Sequence, residues 1–430
     1  MKLVIIGGGF GGLRLARKLS NKRDFEITLI DKYNYHQFQP LFYQVATAGL
    51  DASNISFPLR KVFQQSKNVR FRMATVREVD TARQKVITDT GEFDFDLLVI
   101  ATGADSDFFS NSLLAENAFP MKSTVEALQI RHRLLQNFED ALQVKDENLL
   151  QSLMTVVVVG GGPTGVEMSG AIADMRRFVL PKDYPELDFS KFKIYLLEGT
   201  GKTLAGMSEA SARESQQYLG KLGVTVLTNT LLKDYDGKKA VLQNGEIIET
   251  SMLIWAAGIK GNVPKGIHTD LIAKGNRVKV NRQCLVNGFP NIYAIGDVAF
   301  MQENAFTDGH PQVAPVAMQQ ADLLAENFRR IKLKNKNAVL KEFTYNDKGS
   351  MATVGRNLAV VDMPKPKLHF RGFIAWMIWM GLHLMLILGV KNRFFVFCNW
   401  LYNYVTYDQN LRLIFKEFYR EPKNKISPKA

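Results

Sequence analysis

Residues 2–12 read KLVIIGGGFGG, and residues 155–165 read TVVVVGGGPTG. In both stretches an apolar strand enters a glycine turn of spacing Gly-x-Gly-x-x-Gly, and an amphipathic helix is predicted next, over residues 13–20 and 166–179. This order of strand, turn and helix is typical of a mononucleotide-binding unit with a parallel sheet. Its repetition predicts an α/β fold with two Rossmann-like dinucleotide-binding domains.

The first glycine turn contains Gly7, Gly9 and Gly12, and the next predicted strand, residues 26–30, ends at Asp31. The first glycine permits a tight turn, the second lets the backbone approach a pyrophosphate, and the third lets helix and strand pack closely. An acidic residue at the end of the second strand accepts hydrogen bonds from the ribose hydroxyls of an adenine dinucleotide. The first site is therefore predicted to bind a dinucleotide.

The second glycine turn repeats this arrangement with Gly160, Gly162 and Gly165, and the predicted strand over residues 193–197 ends at Glu198. A carboxylate at this position accepts from the 2′-hydroxyl of NADH and repels the 2′-phosphate of NADPH. The second site is therefore predicted to bind NADH.

Three later stretches resemble the two-dinucleotide-binding flavoprotein superfamily: residues 97–103 (LLVIATG), 255–258 (WAAG) and 291–297 (NIYAIGD). In that superfamily the first and third contact FAD, and the second lies against the nicotinamide and the flavin. The resemblance therefore assigns non-covalent FAD to the first site. The contact residues it implies are Thr102, Gly103, Gly296 and Asp297 for FAD, and Ala257 and Gly258 for NADH. The alternatives are a helix cap at Asp297 and a merely buried tryptophan at Trp255.

Residues 34–49, NYHQFQPLFYQVATAG, resemble the signature of the type II NADH dehydrogenases, which are single-subunit, non-pumping NADH:quinone oxidoreductases. Residues 163–167 (PTGVE) and the C-terminal run 372–414 match as well, so the resemblance covers essentially the whole chain. It implies transfer of two electrons from NADH through FAD to a membrane quinone of a respiratory chain. It also implies peripheral or monotopic attachment to the cytoplasmic face of a bacterial inner membrane.

The quinone segment of this family has the pattern Ala-Gln-x-Ala-x-Gln, and residues 314–320 here read APVAMQQ. Pro315 replaces the first glutamine and also removes a backbone N–H. The resemblance implies that Gln319 lies near the flavin and the quinone head and acts in catalysis. The residues expected at the quinone are Ala314, Pro315, Ala317, Gln319 and Gln320.

Glu167 is the predicted proton relay, because the resemblance places it on the first turn of a helix and facing the flavin region. A carboxyl shielded from water can hold and transfer a proton. The alternative is an ionised glutamate stabilised by the dipole at the helix N-terminus. His36 and His383 are the other titratable candidates, and packed or surface histidines are the alternative for both.

Two cysteines in 430 residues, Cys284 and Cys398, are far apart in sequence. They provide no CxxC motif, which argues against disulfide reductases and sulfide:quinone reductases, and no metal site is expected. A chain of this length predicts two or three domains.

The net charge of +13 belongs to the C-terminal quarter, because residues 329–430 contain 19 Lys and Arg against 6 Asp and Glu. Residues 373–390 are an apolar run of eighteen residues, about 27 Å long as a helix and marginal for a bilayer core of about 30 Å. Aromatic residues and lysines beside it favour an anionic lipid surface. We interpret it as an in-plane anchor; a transmembrane helix is the alternative, and a homodimer surface is a compatible third interpretation.

Another class of function stays open for the basic C-terminal part, namely an NADH-reducible flavoprotein that signals or binds nucleic acid. Aromatic residues interleaved with Lys and Arg suit single strands, but the long uncharged run suits lipid better, so nucleic acid is not expected.

The predicted segments are a first part of the FAD domain (1–110), a helical connection (111–154), the NADH domain (155–260), a second part of the FAD domain with the quinone segment (261–330) and an α-rich membrane-anchoring region (331–430). Residues 329–350 and 362–371 are polar and rich in Lys and Pro, and they are predicted to be connections.

Overall fold

The computed structural model describes residues 1–332, 340–409 and 411–415. Its α-helices are α1 (Phe10–Leu19), α2 (Phe42–Ala46), α3 (Leu59–Val62), α4 (Ser112–Asn117), α5 (Thr124–Ala141), α6 (Glu147–Leu153), α7 (Pro163–Phe178), α8 (Leu180–Asp183), α9 (Glu209–Lys221), α10 (Ala314–Lys332), α11 (Gly372–Leu386) and α12 (Val390–Thr406).

The strands are β1 (Lys2–Ile6), β2 (Glu26–Asp31), β3 (Tyr35–Gln37), β4 (Ser56–Pro58), β5 (Val69–Met73), β6 (Val76–Asp80), β7 (Lys85–Thr88), β8 (Gly91–Asp94), β9 (Leu97–Ile100), β10 (Ala104–Ser106), β11 (Phe119–Pro120), β12 (Thr155–Val159), β13 (Lys193–Leu197), β14 (Thr225–Leu227), β15 (Leu232–Tyr235), β16 (Lys239–Leu242), β17 (Ile247–Glu249), β18 (Met252–Trp255), β19 (Ile259–Gly261), β20 (Ile272–Ala273), β21 (Arg277–Lys279), β22 (Ile292–Ala294), β23 (Ala299–Phe300), β24 (Ser350–Gly355), β25 (Leu358–Pro364) and β26 (Lys367–Arg371).

The first Rossmann-like domain is built on a parallel sheet of order β22-β9-β1-β2-β5. Ile5 at its centre pairs with Leu29 on one side and Val99 on the other, and all three are fully buried. Continuous apolar strands are what a parallel sheet covered on both faces requires. Because β22 joins from nearly two hundred residues downstream, this domain is assembled from two separate parts of the chain.

The second Rossmann-like domain has a parallel sheet of order β11-β18-β12-β13-β14. Its edge strand β11 lies within residues 111–154, the segment predicted as a helical connection, and pairs Phe119 with Ile254. A three-stranded antiparallel sheet, β15-β16-β17, follows β14. The two parallel sheets confirm the predicted fold class.

The C-terminal part begins with an antiparallel sheet, β24-β25-β26, that packs on α7. Gly170 makes this possible, since a Cβ on it would overlap the carbonyl oxygen of Val354 in β24. The prediction that residues 362–371 form a connection is wrong, because they belong to the hairpin of β25 and β26. The hairpin is polar where it faces water, so its composition resembled that of a loop. Within residues 329–350, residues 340–349 carry no regular structure, and residues 333–339 lie outside the described residues.

The apolar run 373–390 is divided between two helices rather than forming one. Helix α11 ends at Leu386, and Gly389, with φ +83°, separates it from α12. Among the described residues, no helix is both long and apolar enough to cross a membrane. Both helices expose large apolar side chains at the protein surface, including Ile374 (61% exposed) and Phe394 (61% exposed).

Candidate active site

The first glycine turn has the close approaches that a dinucleotide turn needs. Gly7 has φ +107°, and a Cβ there would overlap the carbonyl oxygen of Ala101. A Cβ on Gly12 would overlap the carbonyl oxygen of Gly7, so helix α1 packs directly on the turn. Gly9 differs, because a Cβ on it would meet no atom within 4 Å. The open space beside Gly9 fits a pyrophosphate that approaches the backbone at the helix N-terminus.

Asp31 completes this turn from the end of β2. Its Oδ2 accepts from the backbone N–H of Gly8 at 2.6 Å, and its Oδ1 accepts from that of Tyr33 at 2.7 Å. Burial raises the pKa of Asp31, and the two backbone donors oppose that rise. A carboxylate has about four acceptor positions, so both oxygens can still accept from ribose hydroxyls.

A cleft of about 1350 Å³, counting its open mouth, runs from Asp31 past the glycine turn to the Ala-Thr-Gly turn and Lys122. Thr102 and Gly103 line it, and the Thr102 hydroxyl donates to the carbonyl of Asn262 at 2.5 Å. Burial raises the pKa of Asp297, and the neighbouring charges of Lys122 and Arg277 partly oppose that rise. The cleft thus combines backbone donors, carboxylates and a cation along its length.

The Gly-Asp segment lies at the N-terminal end of α10. Asp297 lies inside a short 3-10 helix, Gly296–Val298, whose N-cap residue is Ile295. The helix-cap alternative for Asp297 is therefore wrong. The backbone N–H of Gly296 donates to Gln320 Oε1 at 2.7 Å, which holds this turn against α10.

The second glycine turn copies the first. Gly160 has φ +107°, a Cβ on Gly165 would overlap the carbonyl oxygen of Gly160, and a Cβ on Gly162 would meet no atom within 4 Å. Glu198 Oε2 accepts from the N–H of Gly161 at 2.6 Å, as Asp31 does from Gly8. The same backbone geometry and the same carboxylate bond are therefore present twice.

The Trp-Ala-Ala-Gly turn packs on the segment that follows the Ala-Thr-Gly turn. The indole N–H of Trp255 donates to the carbonyl of Asp107 at 3.0 Å, and Phe108 stacks on the ring at 5.6 Å. Gly258 has φ +74° and approaches Phe109. The turn thus joins the two domains, with Ala257 and Gly258 partly exposed beside the contact.

A separate cavity lies between α2, α7, β24, α11 and α12. It has about 900 Å³ of empty space, counting its open mouth, and a third of its lining residues are aromatic. The aromatic and acidic residues that line it include Tyr43, Glu167, Asp174, Trp376, Trp379, Trp400, Tyr404 and Tyr407. Its size and apolar walls suit a flat ring with a few polar atoms.

Glu167 forms part of the cavity wall, enclosed by protein with some of its surface open to the cavity. Desolvation raises its pKa to about 8, against weak lowering by the Thr353 N–H and the Trp379 indole. The Thr353 bond is long, 3.4 Å. Helix α7 starts at Pro163, so Glu167 lies in the second turn and not the first. The dipole of α7 therefore acts weakly on Glu167, and burial raises the pKa enough to keep the carboxyl mostly protonated at pH 7.

Comparisons with known proteins bear on this arrangement. A family model described as pyridine nucleotide-disulphide oxidoreductase matches residues 1–321, and one described as NDH2 C-terminal domain matches residues 348–406. The chain is 34% identical to the type II NADH:quinone oxidoreductase Ndh of Mycobacterium tuberculosis, over 94% of this chain and 88% of that protein. The chain belongs to the type II NADH:quinone oxidoreductase family. It is therefore an oxidoreductase enzyme, as the resemblance predicted.

Further relatives agree with this membership in the type II family. A type II NADH:quinone oxidoreductase of Staphylococcus aureus is 29% identical over 82% of this chain and 87% of that protein. A solved structure of NDH2 from Plasmodium falciparum in complex with NADH superposes with a TM-score of 0.87 at 22% identity, covering 96% of this chain and 99% of that one. This superposition shows that the two proteins share a fold.

The type II quinone segment is only partly where the resemblance implied. Ala314 and Pro315 begin α10, and Ala317 packs beside Gly296. Gln319 Nε2 donates to the carbonyl of Asn346 at 3.0 Å, and its Oε1 accepts from the N–H of the same residue at 2.9 Å. The structure thus brings Gln319 to neither the cleft nor the cavity. Gln320, one position on and buried, is the glutamine that contacts the Gly296 turn.

The two histidines are packed rather than open to a substrate. His36 Nδ1 lies 3.0 Å from the carbonyl of Gly8, and His383 Nδ1 lies 2.7 Å from that of Trp379. A carbonyl can only accept, so Nδ1 carries the proton in both rings. Burial lowers the pKa of His36, and lowers that of His383 to about 4, so both are neutral at pH 7.

Sequence reasoning missed the aromatic walls of the cavity. Tyr43 and Gln44 belong to the family signature, which gives them no role of their own, and Trp379 and Trp400 belong to the predicted anchor. The available signal was Gly170, a glycine in the middle of a helix, which commonly marks a close packing contact.

Proposed function

We propose that this chain transfers two electrons from NADH to a membrane quinone with FAD as the resident cofactor, without pumping protons. The observation that carries the proposal is the pair of matched glycine turns, each closed by a carboxylate, together with a separate cavity that Glu167 and several aromatic residues line. Two dinucleotides and one flat substrate are what these three sites can hold.

The residues of the first cleft fit FAD. The glycine turn and the N-terminus of α1 would hold the pyrophosphate, and Asp31 would accept from the adenosine ribose. Lys122 lines the cleft farther along, near Asp297. FAD would take a hydride from NADH and pass both electrons on. In the second domain, Glu198 would accept from the NADH ribose beside the Gly162 turn.

We infer that the aromatic cavity receives the quinone head. Quinone reduction consumes two protons, and a Glu167 with a pKa near 8 holds one proton at neutral pH. A neutral carboxyl beside the substrate can donate that proton to an oxygen that gains charge. The proposal includes no transmembrane proton path.

Helices α11 and α12 would bring this cavity to the lipid, where the quinone tail resides. They line the cavity on one side and expose large apolar residues on the other. Such a surface lies in the plane of a membrane interface. We place the enzyme on the cytoplasmic face of a bacterial inner membrane.

The direct test is stopped-flow absorbance of the purified protein near 450 nm. NADH should bleach the flavin band much faster than NADPH, because Glu198 repels a 2′-phosphate. A short-chain benzoquinone should then restore the band. A colourless protein that takes up no FAD, or a yellow one that ignores NADH, would contradict the proposal.

Membrane attachment is tested by placing charge on the exposed apolar face. The double variant Ile374→Asp and Phe394→Asp should lower binding to lipid vesicles by about tenfold or more, since each carboxylate must leave water. The matched control is Ile247→Asp, an equally exposed apolar residue (56%) in the second domain. Flotation on a density gradient measures both. Equal flotation of the double variant and the parent would exclude these helices as the anchor.

A further inference from the structure

The cavity contains a directional chain of hydrogen bonds from α12 to α2. Trp400 Nε1 donates to Gln44 Oε1 at 2.7 Å, and Gln44 Nε2 donates to the Tyr43 hydroxyl at 2.8 Å. All three residues line the cavity. Each bond joins atoms at normal hydrogen-bond distance.

The direction of this chain follows from the chemistry of its first member. An indole N–H can only donate, so the atom of Gln44 that faces Trp400 must be the carbonyl oxygen. The amide nitrogen therefore faces Tyr43 and donates to the phenol oxygen. That oxygen accepts one bond already, and its own hydrogen remains free to be donated.

The Tyr43 hydroxyl hydrogen has no acceptor among the described residues. Tyr43 is only 6% exposed, so bulk water has little access to this hydroxyl. A buried donor left without a partner costs about 1–3 kcal/mol, which indicates a partner that enters the cavity.

A second donor in the same cavity is unpartnered. Trp379 is 1% exposed, and its Nε1 makes no hydrogen bond of normal geometry within the part of the chain that the structure describes. It lies near the Glu167 carboxyl, whose pKa it holds down. The Tyr43 hydroxyl and the Trp379 indole thus provide two neutral donors on the cavity wall, and a carbonyl oxygen of a bound compound can accept from such donors.

We propose that Tyr43 donates its hydroxyl hydrogen to a carbonyl oxygen of the quinone, and that Trp400 and Gln44 act as positioning residues that direct this donation. The inference rests on the proposed function, namely that the quinone head occupies this cavity. The bond strengthens as the carbonyl oxygen gains negative charge, so it favours reduction as well as binding.

Tyr43→Phe keeps the ring and removes only the hydroxyl. It should lower kcat/KM for a short-chain benzoquinone by about three- to tenfold, the range for one lost hydrogen bond, and leave the rate of flavin bleaching by NADH unchanged. Tyr195→Phe is the matched control, because it removes a tyrosine hydroxyl from β13, outside the cavity. It should leave both rates at the parental values.

Trp400→Phe tests the direction of the chain. Without the indole donor the Gln44 amide can rotate and present its oxygen to Tyr43, which draws the hydroxyl hydrogen away from the substrate. The variant should lower the quinone kcat/KM by less than Tyr43→Phe, and the double variant should fall no further than Tyr43→Phe alone. Additive effects would show that Trp400 does not act through Tyr43.

Ala171→Phe separates this inference from the function on which it rests. Ala171 lines the cavity, and a benzyl group there would take up part of the space that a bound ring needs. If Ala171→Phe abolishes quinone reduction while Tyr43→Phe leaves it unchanged, the cavity binds quinone but Tyr43 does not donate. If neither substitution affects quinone reduction, the quinone binds elsewhere and both proposals fall.

Discussion

Gly162→Ala is expected to leave FAD bound and to raise the KM for NADH by about tenfold or more, whereas Gly9→Ala is expected to lower FAD content and leave the second site intact. Gly9 has φ −71° and Gly162 has φ −70°, both ordinary negative values. A Cβ on either glycine would meet no protein atom within 4 Å. The added methyl group therefore disturbs nothing in the protein alone. It occupies the space where a pyrophosphate would approach the backbone.

This pair of substitutions assigns the two sites independently. Flavin content is measured from the absorbance of the purified proteins, and NADH affinity from the concentration dependence of flavin bleaching. Melting temperatures equal to that of the parent protein would show that the folds are intact. A loss of flavin in Gly162→Ala, with normal flavin in Gly9→Ala, would reverse our assignment of the two clefts.

Glu167→Gln is expected to lower kcat for quinone by about a hundredfold, the lower end of the range for a lost general acid. The amide has nearly the shape of the carboxyl but carries no transferable proton. In the parent, quinone turnover should decline as the pH rises through about 8, where Glu167 ionises, and the Gln variant should lose that dependence. Steady-state rates between pH 6 and 10 measure both effects, and unaltered quinone turnover at normal FAD content would dismiss the relay.

Protein stability provides the control for this variant. Below about pH 4.5 the carboxyl is protonated in both folded and unfolded states, so the parent and Glu167→Gln should be similarly stable. Between about 4.5 and 8 the unfolded parent ionises and the folded parent does not, which costs the parent up to about 1.4 kcal/mol per pH unit relative to the variant. Thermal melts at pH 5 and pH 8 should therefore show the Gln variant gaining relative stability as the pH rises.

The local parts of the fold could be predicted because short stretches of sequence determine them. A glycine turn between a buried strand and a helix has few alternatives, and both turns were predicted with their carboxylates, Asp31 and Glu198. Their hydrogen bonds to Gly8 and Gly161 follow from the same βαβ geometry. The family resemblance then named the chemistry that such turns serve.

Sequence patterns were insufficient where a single position decides which way a side chain faces or where a helix ends. Successive helix positions differ by about 100° in direction, so Gln320 faces the Gly296 turn and Gln319 faces Asn346. The motif could not distinguish these neighbours. Likewise, one residue with positive φ, Gly389, divides an apolar run that hydropathy alone treats as continuous.

The sequence by itself determined two dinucleotide turns, their order along the chain and an apolar C-terminal part, because these depend on residues adjacent in the chain. Only the tertiary structure decided the aromatic cavity, since Gln44 and Trp400 meet across 356 positions and β24 reaches α7 only through the missing side chain of Gly170. The protonation of Glu167 also belongs to the tertiary structure, because the desolvation that raises its pKa comes from elements far apart in sequence.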